Sequence, residues 1–459
     1  MKAIMRDEQE MKDSGIEWIG KIPASWNIER MKNQFVYNKG LNITKADLVD
    51  EGVAVISYGQ IHAKNNTGTT LNPEFLRYIS PDNIAINDKS LLNMGDIVFA
   101  DTSEDYDGLG NAVYMDSDTE TYAGYHTIIA RLKNIDYSKY FAYLFKSDAW
   151  REQLRVRASG IKVFSVTQRM LNDVTLIMPE KNAIRPIISY LDDRCGKIDA
   201  LIAEAKASIE EYKELKQAVI YEAVTKGLDK NVEMKDSGVE WIDNIPANWN
   251  LVKITRILDK NHPYAIGDGD HGSIKTDQYL DSGIPFIRVQ NLGWGTALNL
   301  ENVVYISEED NKQIQNSTLR PNDILFAKTG ATIGKTAIMP DNIPVANTTS
   351  HVGKITLSKE HNPKYVFYVL SSQVGYRQFW DIALQKTTRP ELSIEETKSI
   401  KILLPHDRSI EDDIVSYLDD KLPVFDQLIE TKMALIEDLE AYKKSLIYEV
   451  VTGKRKVVE

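Results

Sequence analysis

Two glycine-rich segments contain the residue types that bind phosphate groups. GATIGKT at 330–336 is similar to a phosphate-binding loop, but three residues separate its glycines where the GxxxxGK[ST] pattern has four. GDGDHG at 267–272 fits the GxGxxG spacing, yet it is acidic and lacks a following helix that would direct its N-terminus at a pyrophosphate. We therefore predict that neither segment binds a nucleotide.

Histidine, cysteine and carboxylate side chains are the other candidates for catalysis or metal binding. The seven histidines show no HExxH or cysteine-paired spacing, and Cys195 is the single cysteine. The sequence has no GxSxG elbow and no Asn/Asp-Pro-Pro-aromatic motif of an amino-methyltransferase. The carboxylates of DTSEDYD at 101–107 could bind Mg²⁺, but a solvated loop is the alternative we favour. The sequence thus predicts no catalytic residue and no metal site.

The composition indicates a soluble globular protein with more than one domain. The 459 residues, of which 42% are hydrophobic and 27% charged, suit two to four domains. One cysteine, a charged N-terminal start and the lack of a long apolar run predict a cytoplasmic protein without a secretion signal or membrane span. The net charge of −12 argues against a lone non-specific DNA binder, but it allows a local contact surface or a basic partner.

The chain contains an internal repeat. MKDSGIEWIGKIPASWN at 11–27 and MKDSGVEWIDNIPANWN at 234–250 share 13 of 17 residues. A second match joins YLDDRCGKIDALI, which starts at Tyr190, to YLDDKLPVFDQLI, which starts at Tyr417. The segments between these matches differ, either through drift or because the two copies recognise different things. A tandem duplication with two similar domains follows.

The middle of each half predicts a mixed α/β (α+β) fold. Short apolar runs such as 53–61 and 284–292 are bounded by turn residues and predict strands, whereas 140–156 and 365–380 have the pattern of amphipathic helices. The predicted segments are a repeated N-terminal segment at 1–30, a first domain at 31–183, a long helix at 184–227, a linker with the second repeated segment at 228–250, a second domain at 251–408 and a second long helix at 409–459.

Each of the two long helices has a seam of apolar residues at alternating spacings of three and four. Such a seam is typical of a coiled coil, so we predict that the helices pair in an antiparallel coiled coil and relate the domains by a pseudo-twofold. Packing of each helix on its own domain is the alternative. Gly196 and Pro423 occupy equivalent positions and predict a kink or break in both helices. The predicted pairing residues are Leu191, Ile198, Ile202, Ile209, Tyr212, Val219, Leu418, Leu422, Phe425, Ile429, Ile436 and Leu439.

These motifs together resemble the specificity (S) subunit of type I restriction–modification systems. The resemblance covers nearly the whole chain and rests on the doubled KDSGxEWIxxIPAxW, on GIPFIRVQN at 283–291, on DILFAKTGATIGKTAI at 323–338 and on YLDD…IYExVTxG in both halves. The stretches just before the helices, PEKNAIRP at 179–186 and PHDRSIEDD at 405–413, lack the acidic-Gln pair that the family often has there.

The resemblance implies a non-catalytic DNA-recognition subunit with two target-recognition domains. Each domain would read one half of a bipartite site in double-stranded DNA, and the paired helices would set the unread gap. Two modification (methyltransferase) subunits would dock on the helices and bring S-adenosylmethionine for adenine methylation. Restriction subunits, which act as nuclease and translocase, would bring ATP and Mg²⁺. This chain itself would bind no cofactor.

Strand ends and the loops that follow them are the predicted DNA-binding positions, because loops on a rigid scaffold carry recognition. Arg288 or Lys328 could bind guanine, and Gln60, Gln290 or Asn291 could bind adenine. Asp101 stands where the second half has Lys328, which predicts different half-sites. For each residue a solvated or turn-stabilising role is the alternative. The predicted residues are Ser57, Tyr58, Gln60, His62, Lys64, Asp101, Thr102, Ser103, Lys162, Ser165, His271, Arg288, Gln290, Asn291, Lys328, Thr329, Lys386 and Arg389.

Two other functions remain open at this point. A self-sufficient DNA-modifying enzyme is opposed by the missing methyltransferase motif. A tandem adaptor that binds protein partners instead of DNA would leave no base protected.

Overall fold

The chain divides into two compact units. The computed structural model describes residues 1–85, 89–158, 163–295, 297–384 and 390–458. Unit 1 comprises Met1–Lys206 with Ala434–Glu459, and unit 2 comprises Ala207–Met433. Each unit therefore contains one globular domain, the first part of one long helix and the last part of the other.

The strands of the described residues are short and spread over both units. In unit 1 they are β1 Lys2–Met5, β2 Met11–Asp13, β3 Lys21–Pro23, β4 Asn27–Arg30, β5 Phe35–Lys39, β6 Leu48–Val49, β7 Val53–Ile56, β8 Arg77–Ile79, β9 Ile97–Ala100, β10 Thr102–Ser103, β11 Ala112–Tyr114, β12 Thr121–Ala123, β13 Thr127–Leu132, β14 Phe164–Ser165 and β15 Thr175–Met178. In unit 2 they are β16 Met234–Asp236, β17 Asn244–Pro246, β18 Asn250–Lys253, β19 Ile266–Asp268, β20 Ile284–Ile287, β21 Val304–Ile306, β22 Ile324–Ala327, β23 Thr336–Ile338, β24 Asn347–Thr348, β25 Val352–Ile355 and β26 Lys401–Leu404. The last strand, β27 Arg455–Val458, belongs to unit 1.

Two of the helices are far longer than the rest. The α-helices are α1 Met31–Gln34, α2 Tyr58–Ile61, α3 Ser138–Lys146, α4 Asp148–Arg155, α5 Gln168–Asp173, α6 Lys181–Lys226, α7 Glu308–Gln313, α8 Pro363–Ser371, α9 Gln373–Ala383, α10 Ile394–Thr397 and α11 Arg408–Val451. The predicted mixed fold with an internal repeat and two long helices is confirmed.

Unit 1 contains two four-stranded sheets. The first has the antiparallel order β11-β9-β13-β5, and the second has the order β12-β7-β8-β6 with β12 parallel to β7. One face of the first sheet packs on α3 and α4, where the ring centroids of Phe99 and Trp150 are 5.5 Å apart. The other face, with Val98 and Ile129, packs on the second sheet. Because both faces of β9 are covered, all four of its residues are buried and apolar.

Unit 2 repeats this arrangement with its own strands. One sheet has the order β19-β25-β22-β23, and another has the order β21-β20-β24 with β20 parallel to β24. Here Phe326 of β22 stacks on Phe379 of α9 at a centroid distance of 5.5 Å. The turns before β9 and β22 both need a left-handed residue, which is Gly95 (φ 88°) in unit 1 and Asn322 (φ 69°) in unit 2.

A serine divides each of the two segments that the sequence predicts as single amphipathic helices. Ser147 separates α3 from α4, and Ser372 separates α8 from α9. Both are fully buried in extended backbone, and each hydroxyl donates to a carbonyl three residues earlier, at 2.6 and 2.7 Å. The hydroxyl thus satisfies a carbonyl at the end of the first helix, which lets the chain turn there.

The long helices differ from their predicted ends. α6 begins at Lys181 instead of 184, so Pro186 lies inside the helix, and α11 ends at Val451 instead of 459. After α11 the left-handed Gly453 (φ 72°) turns the chain, and β27 then pairs antiparallel with β1. Neither Gly196 nor Pro423 interrupts its helix, so a break at these positions is wrong, while a kink stays a prediction. Packing of the apolar seam on both sides of these residues outweighs the local cost.

The two long helices pair antiparallel within each unit. In unit 1 the Lys443 ammonium donates to both carboxylate oxygens of Asp199, at 2.6 and 2.7 Å. In unit 2 the Lys216 ammonium donates to Asp426 at 2.5 Å. The predicted pairing residues Leu191, Ile198, Ile202, Ile209, Leu418 and Leu422 are buried, and Tyr212, Val219, Phe425, Ile429, Ile436 and Leu439 are partly buried.

Each helix also packs on the domain of its own unit. The Tyr143 hydroxyl of α3 donates to Asp192 of α6 at 2.6 Å, and the Tyr368 hydroxyl of α8 donates to Asp419 of α11 at 2.6 Å. Burial and the neighbouring carboxylate raise the pKa of both phenols, so both remain donors at neutral pH. The long helices therefore pair with each other through one face and pack on the globular domain through another face.

Replacement of Leu191 by alanine is expected to lower the free energy of unfolding of unit 1 by about 3 kcal/mol, because a fully buried side chain leaves a cavity. Leu201 lies on the same helix and is 50% exposed, so Leu201→Ala is the matched control, with an expected change below about 0.5 kcal/mol. Urea denaturation followed by circular dichroism measures both. Equal losses in the two variants would contradict the seam.

Candidate nucleic-acid interface

The loop after β7 is held together by two of the predicted DNA-binding residues. The Gln60 side-chain oxygen accepts a hydrogen bond from the Ser57 backbone N–H at 3.0 Å, which fixes the start of α2. Ser57 is buried, whereas Lys64 at the end of the loop is exposed. In unit 2 the Asn291 side-chain oxygen accepts from the Arg288 N–H in the same way, at 2.8 Å. Gln60 and Asn291 are therefore equivalent, and both stabilise a turn.

His62 joins the loop after β7 to the segment after β9. Its Nε2 lies 2.8 Å from the Thr102 carbonyl oxygen and its Nδ1 lies 3.1 Å from the Asn111 side-chain nitrogen. These contacts assign a neutral ring that donates from Nε2 and accepts at Nδ1. The ring of Tyr58 is 4.8 Å from that of His62, and its hydroxyl donates to Glu104 at 3.2 Å.

Asp101, Thr102 and Ser103 follow β9 and lie beside these residues. Asp101 accepts from His126 at 3.2 Å, and its backbone N–H donates to the His126 carbonyl at 3.1 Å. Thr102 pairs with Ser165 through β10 and β14, so two distant predicted residues lie side by side. The buried Ser103 hydroxyl donates to the Asp105 carbonyl at 2.7 Å, which is a turn-stabilising role.

Lys328 and Thr329 occupy the equivalent place in unit 2. The Lys328 N–H donates to the His351 carbonyl at 3.0 Å, as the Asp101 N–H does to that of His126, so the predicted alignment of Asp101 with Lys328 agrees with the structure. Lys328, however, is only 3% exposed, and its ammonium forms an ion pair with Asp268. Thr329 lies 3.3 Å from His351 and bridges to Glu391.

The other predicted residues of unit 2 are divided between exposed and engaged side chains. Gln290 and His271 are exposed, and His271 contacts Asp268 at 3.1 Å. Arg288 is partly buried, donates to the Asn302 carbonyl at 3.0 Å and lies 5.7 Å from the Tyr279 ring centroid. The predicted contacts Lys162, Lys386 and Arg389 lie outside the described residues.

The glycine-rich segments of unit 2 have structural roles. In GATIGKT the Gly330 N–H donates to the Pro390 carbonyl at 3.0 Å, and the segment leads into strand β23 instead of a helix. In GDGDHG the carboxylate of Asp270 accepts from the backbone N–H groups of Gly272, Ser273 and Ile274, each at 3.0 Å. Among the described residues no group of three metal-ligating side chains is arranged to hold an ion, and no helix is long and apolar enough to span a membrane.

Asp270→Ala is expected to lower the free energy of unfolding of unit 2 by about 2 kcal/mol, because three N–H groups lose their acceptor. Burial of Asp270 acts to raise its pKa, but the N–H hydrogen bonds outweigh it and the pKa is lowered. Its stabilisation is therefore present above the ordinary carboxyl pKa and is lost as the pH falls through the lowered value. Denaturation at pH 7 and pH 3 measures this, with the exposed Asp277→Ala as control. A loss that persists undiminished at pH 3 would contradict the role.

Sequence reasoning missed the partners that occupy several of these side chains. Asp268 and Glu104 are not among the predicted DNA-binding residues. His126, which contacts Asp101, is a left-handed turn residue (φ 55°) whose side chain is 60% exposed. The aligned positions of His126 and His351 were the signal available, since both flank the segment after a buried strand.

Comparison with known proteins shows which proteins the chain is similar to. A family model described as the type I restriction modification DNA specificity domain matches residues 248–441. The MjaVIII type I restriction enzyme specificity subunit of Methanocaldococcus jannaschii is 25% identical over 320 residues, which cover 69% of this chain and 70% of the relative. The EcoBI specificity subunit of Escherichia coli is 29% identical over 280 residues, which cover 59% of this chain and 56% of the relative. The chain is therefore similar to type I restriction enzyme specificity subunits.

A solved structure has the same fold as this chain. It comes from a study of complex assembly and conformational transition of the type I R-M system, and it matches with a TM-score of 0.66 at 16% identity over 94% of this chain and 99% of that chain. The match to a type I restriction modification DNA specificity domain supports a DNA-recognition role, and the two units present different side chains at equivalent loop positions.

Proposed function

We propose that each half of the chain reads one part of a two-part DNA sequence and that the long helices dock two modification subunits and set the unread gap. The modification subunits methylate adenine in the sequence that this chain selects. Restriction subunits join the same complex for cleavage. The chain acts by recognition and by positioning its partners, without catalysis of its own.

The observation that carries this proposal is a contrast between two parts of the domains. The two domains make the same contacts with the long helices, but they differ in the loop after the buried strand. The contacts that attach each domain to its helix are the same, since Tyr143 and Tyr368 donate to equivalent aspartates at 2.6 Å. At the loop after the buried strand, by contrast, Asp101 replaces the Lys328 of the other half. A shared scaffold with different reading loops is what two different half-sites require.

The charge of the chain fits a protein that shares the DNA with partners. The loop region of unit 1 carries Asp101, Glu104, Asp105 and Asp107, which oppose a bulk attraction to phosphate. Phosphate contacts that position the duplex would then come largely from the modification subunits. This chain supplies the few groups that reach base edges, and the exposed Lys64, His271 and Gln290 are the candidates that we favour.

Cofactors belong to the partner subunits in this proposal. The modification subunits bind S-adenosylmethionine, and the restriction subunits bind ATP and Mg²⁺. We expect that the purified chain alone shows no detectable binding of S-adenosylmethionine in isothermal titration calorimetry. Stoichiometric binding by the chain alone would favour a self-sufficient enzyme.

Methylation mapping tests the proposed function. The chain is co-expressed with its modification subunit, assembly is checked by light scattering, and modified adenines are sequenced genome-wide. The expected result is a two-part motif with a fixed gap. An assembled complex that methylates no DNA would overturn the proposal and favour a tandem adaptor for protein partners.

Swapping the two aligned side chains tests the hypothesis of different half-sites. Asp101→Lys and Lys328→Asp are made together, and the modified sites are mapped again. We expect a changed base preference in the first part of the motif, since the partly exposed Asp101 would present the opposite charge to the groove, whereas Lys328 is buried against Asp268. Unchanged half-sites from an assembled complex would contradict the hypothesis.

A further inference from the structure

Unit 1 contains a positively charged cleft of about 500 Å³ that extends from Lys64, at the end of the loop after β7, to the long helices. Its described lining includes seven lysine and arginine side chains but four carboxylates. Three of these carboxylates are already paired, because Asp107 and Asp148 contact Arg155 and Asp199 contacts Lys443. The cleft therefore carries a surplus of positive charge that the unit does not neutralise itself.

Arg151 contributes a further positive charge to the cleft. Among the described residues, its guanidinium donates no hydrogen bond to a carboxylate. Its guanidinium donates to the Phe145 carbonyl at 3.0 Å, to the Asp107 carbonyl at 2.9 Å and to the Asn111 side-chain oxygen at 2.6 Å. All three acceptors are neutral, and the side chain is 9% exposed. Neutral acceptors thus take up three N–H groups of the guanidinium while its charge remains, which attracts an anion into the cleft.

Lys146 lines the same cleft as the last residue of α3. Its aliphatic side chain packs on Gly68, which has a φ of +74°. A Cβ added to Gly68 would lie 2.8 Å from the Lys146 Cδ. Among the described residues its ammonium has neither a hydrogen-bond acceptor nor a paired carboxylate, and burial together with the charges of Arg151 and Lys443 lowers its pKa to about 8. An anion that enters the cleft would stabilise this partly buried ammonium in its charged form.

The equivalent place in unit 2 shows that the fold itself does not require these cations. There Gly295 (φ +68°) approaches Ser371, the last residue of α8, in the way that Gly68 approaches Lys146. Tyr376 follows the buried Ser372 at the spacing at which Arg151 follows Ser147. The two domains keep the same backbone, and unit 1 alone has two positive charges at these positions.

We propose that the cleft of unit 1 is a phosphate-binding site in which Lys146 donates to the phosphate oxygens and Arg151 supplies further charge. An ammonium on a flexible stem suits phosphate as a point charge. The site goes beyond the proposed function, because it binds phosphate whether or not the chain reads a DNA sequence. The phosphate group comes either from a DNA backbone or from a free nucleotide or inorganic phosphate.

Thermal unfolding of the full chain at pH 7 in phosphate and in chloride of equal ionic strength tests the site. At tens of millimolar phosphate we expect a rise in Tm of about 3 °C over chloride for a millimolar site in a unit of this size. Lys146→Met keeps the stem over Gly68 and removes the charge, so the rise should be lost. Lys146→Ser, which introduces the residue of unit 2, should lose it as well. Lys181→Ser removes an exposed charge outside the cleft and should keep it.

A second measurement separates the sources of the phosphate. Binding of a duplex to the chain assembled with its modification subunits is measured at several salt concentrations. If a DNA phosphate occupies the cleft, Lys146→Met should lower the slope of log K against log salt by about 1. An unchanged slope together with a lost phosphate effect on Tm assigns the site to free phosphate. A phosphate effect that is absent in the wild-type chain, or equal in Lys146→Met, overturns the site and leaves the proposed function untouched.

Discussion

A chain in which a second copy of residues 27–178 replaces residues 250–404 is expected to direct methylation to a site whose two parts are the same sequence. The cuts lie outside the strand pair that closes each domain, because β4 pairs with β15 and β18 pairs with β26. Each domain is thus moved as a complete set of strands. The part of the motif that the second half normally selects should disappear entirely.

The transplanted domain should dock because its contacts with the long helix are reproduced at the new place. Tyr143 would meet Asp419 as Tyr368 does, and Lys139 would replace Lys364, which lies 2.7 Å from that carboxylate. In its own unit Lys139 lies 3.3 Å from Asp192, the equivalent aspartate. The buried apolar seam of the helices is not touched by the exchange.

The reverse chimera, with residues 250–404 in both places, is the matched control. It should methylate a site whose two parts both equal the sequence that the second half selects. Both chimeras are purified with the modification subunit to show assembly before their modified adenines are mapped. An assembled chimera that still methylates the original motif would show that the domains do not select the sequence.

The fold could be predicted from the apolar periodicity and the internal repeat, but local helix propensities placed the helix breaks at the wrong residues. The seam through Leu191 and Leu418 could be predicted from spacing, because apolar residues that recur every three and four positions lie along one side of a helix, which is then buried. Gly196 and Pro423 break short helices, but here neighbouring turns are held by packing that the local sequence does not show. The breaks at Ser147 and Ser372 were missed because serine also occurs within helices, and only the structure shows each hydroxyl bonded back to a carbonyl at the turn.

The candidate site was predictable as a set of loops and not as a set of contacts. Thr102 and Ser165 were both selected as strand-end residues, and the structure pairs them across more than 60 residues of chain. The roles of Gln60 and Asn291 in capping turns follow from local spacing and were weighed as alternatives. The ion-pair partner of Lys328 could not be predicted, because Asp268 is 60 residues away in sequence and belongs to GDGDHG, a segment whose spacing suggested nucleotide binding.

Lys328→Met is expected to lower the free energy of unfolding of unit 2 by about 3 kcal/mol, since it leaves a partly buried carboxylate without its ion-pair partner. Lys328 is 3% exposed, and its ammonium also lies 3.4 Å from the Ser350 carbonyl. Lys312→Met on α7 removes an exposed charge from the same unit and should change stability by less than about 0.5 kcal/mol. Chemical denaturation of both variants gives the comparison.

The double variant Lys328→Met/Asp268→Asn separates the stability of this pair from its part in DNA reading. Asp268→Asn removes the carboxylate that Lys328→Met alone leaves without its ion-pair partner. We therefore expect most of the lost stability to return. The methylation motif of the double variant should stay unchanged, because an ammonium held by Asp268 must leave that pair before it can reach guanine. A relaxed base preference in the second part of the motif, in a variant whose stability has recovered, would instead assign direct base reading to Lys328. Stability that stays low in the double variant would contradict the ion pair as the reason for the loss.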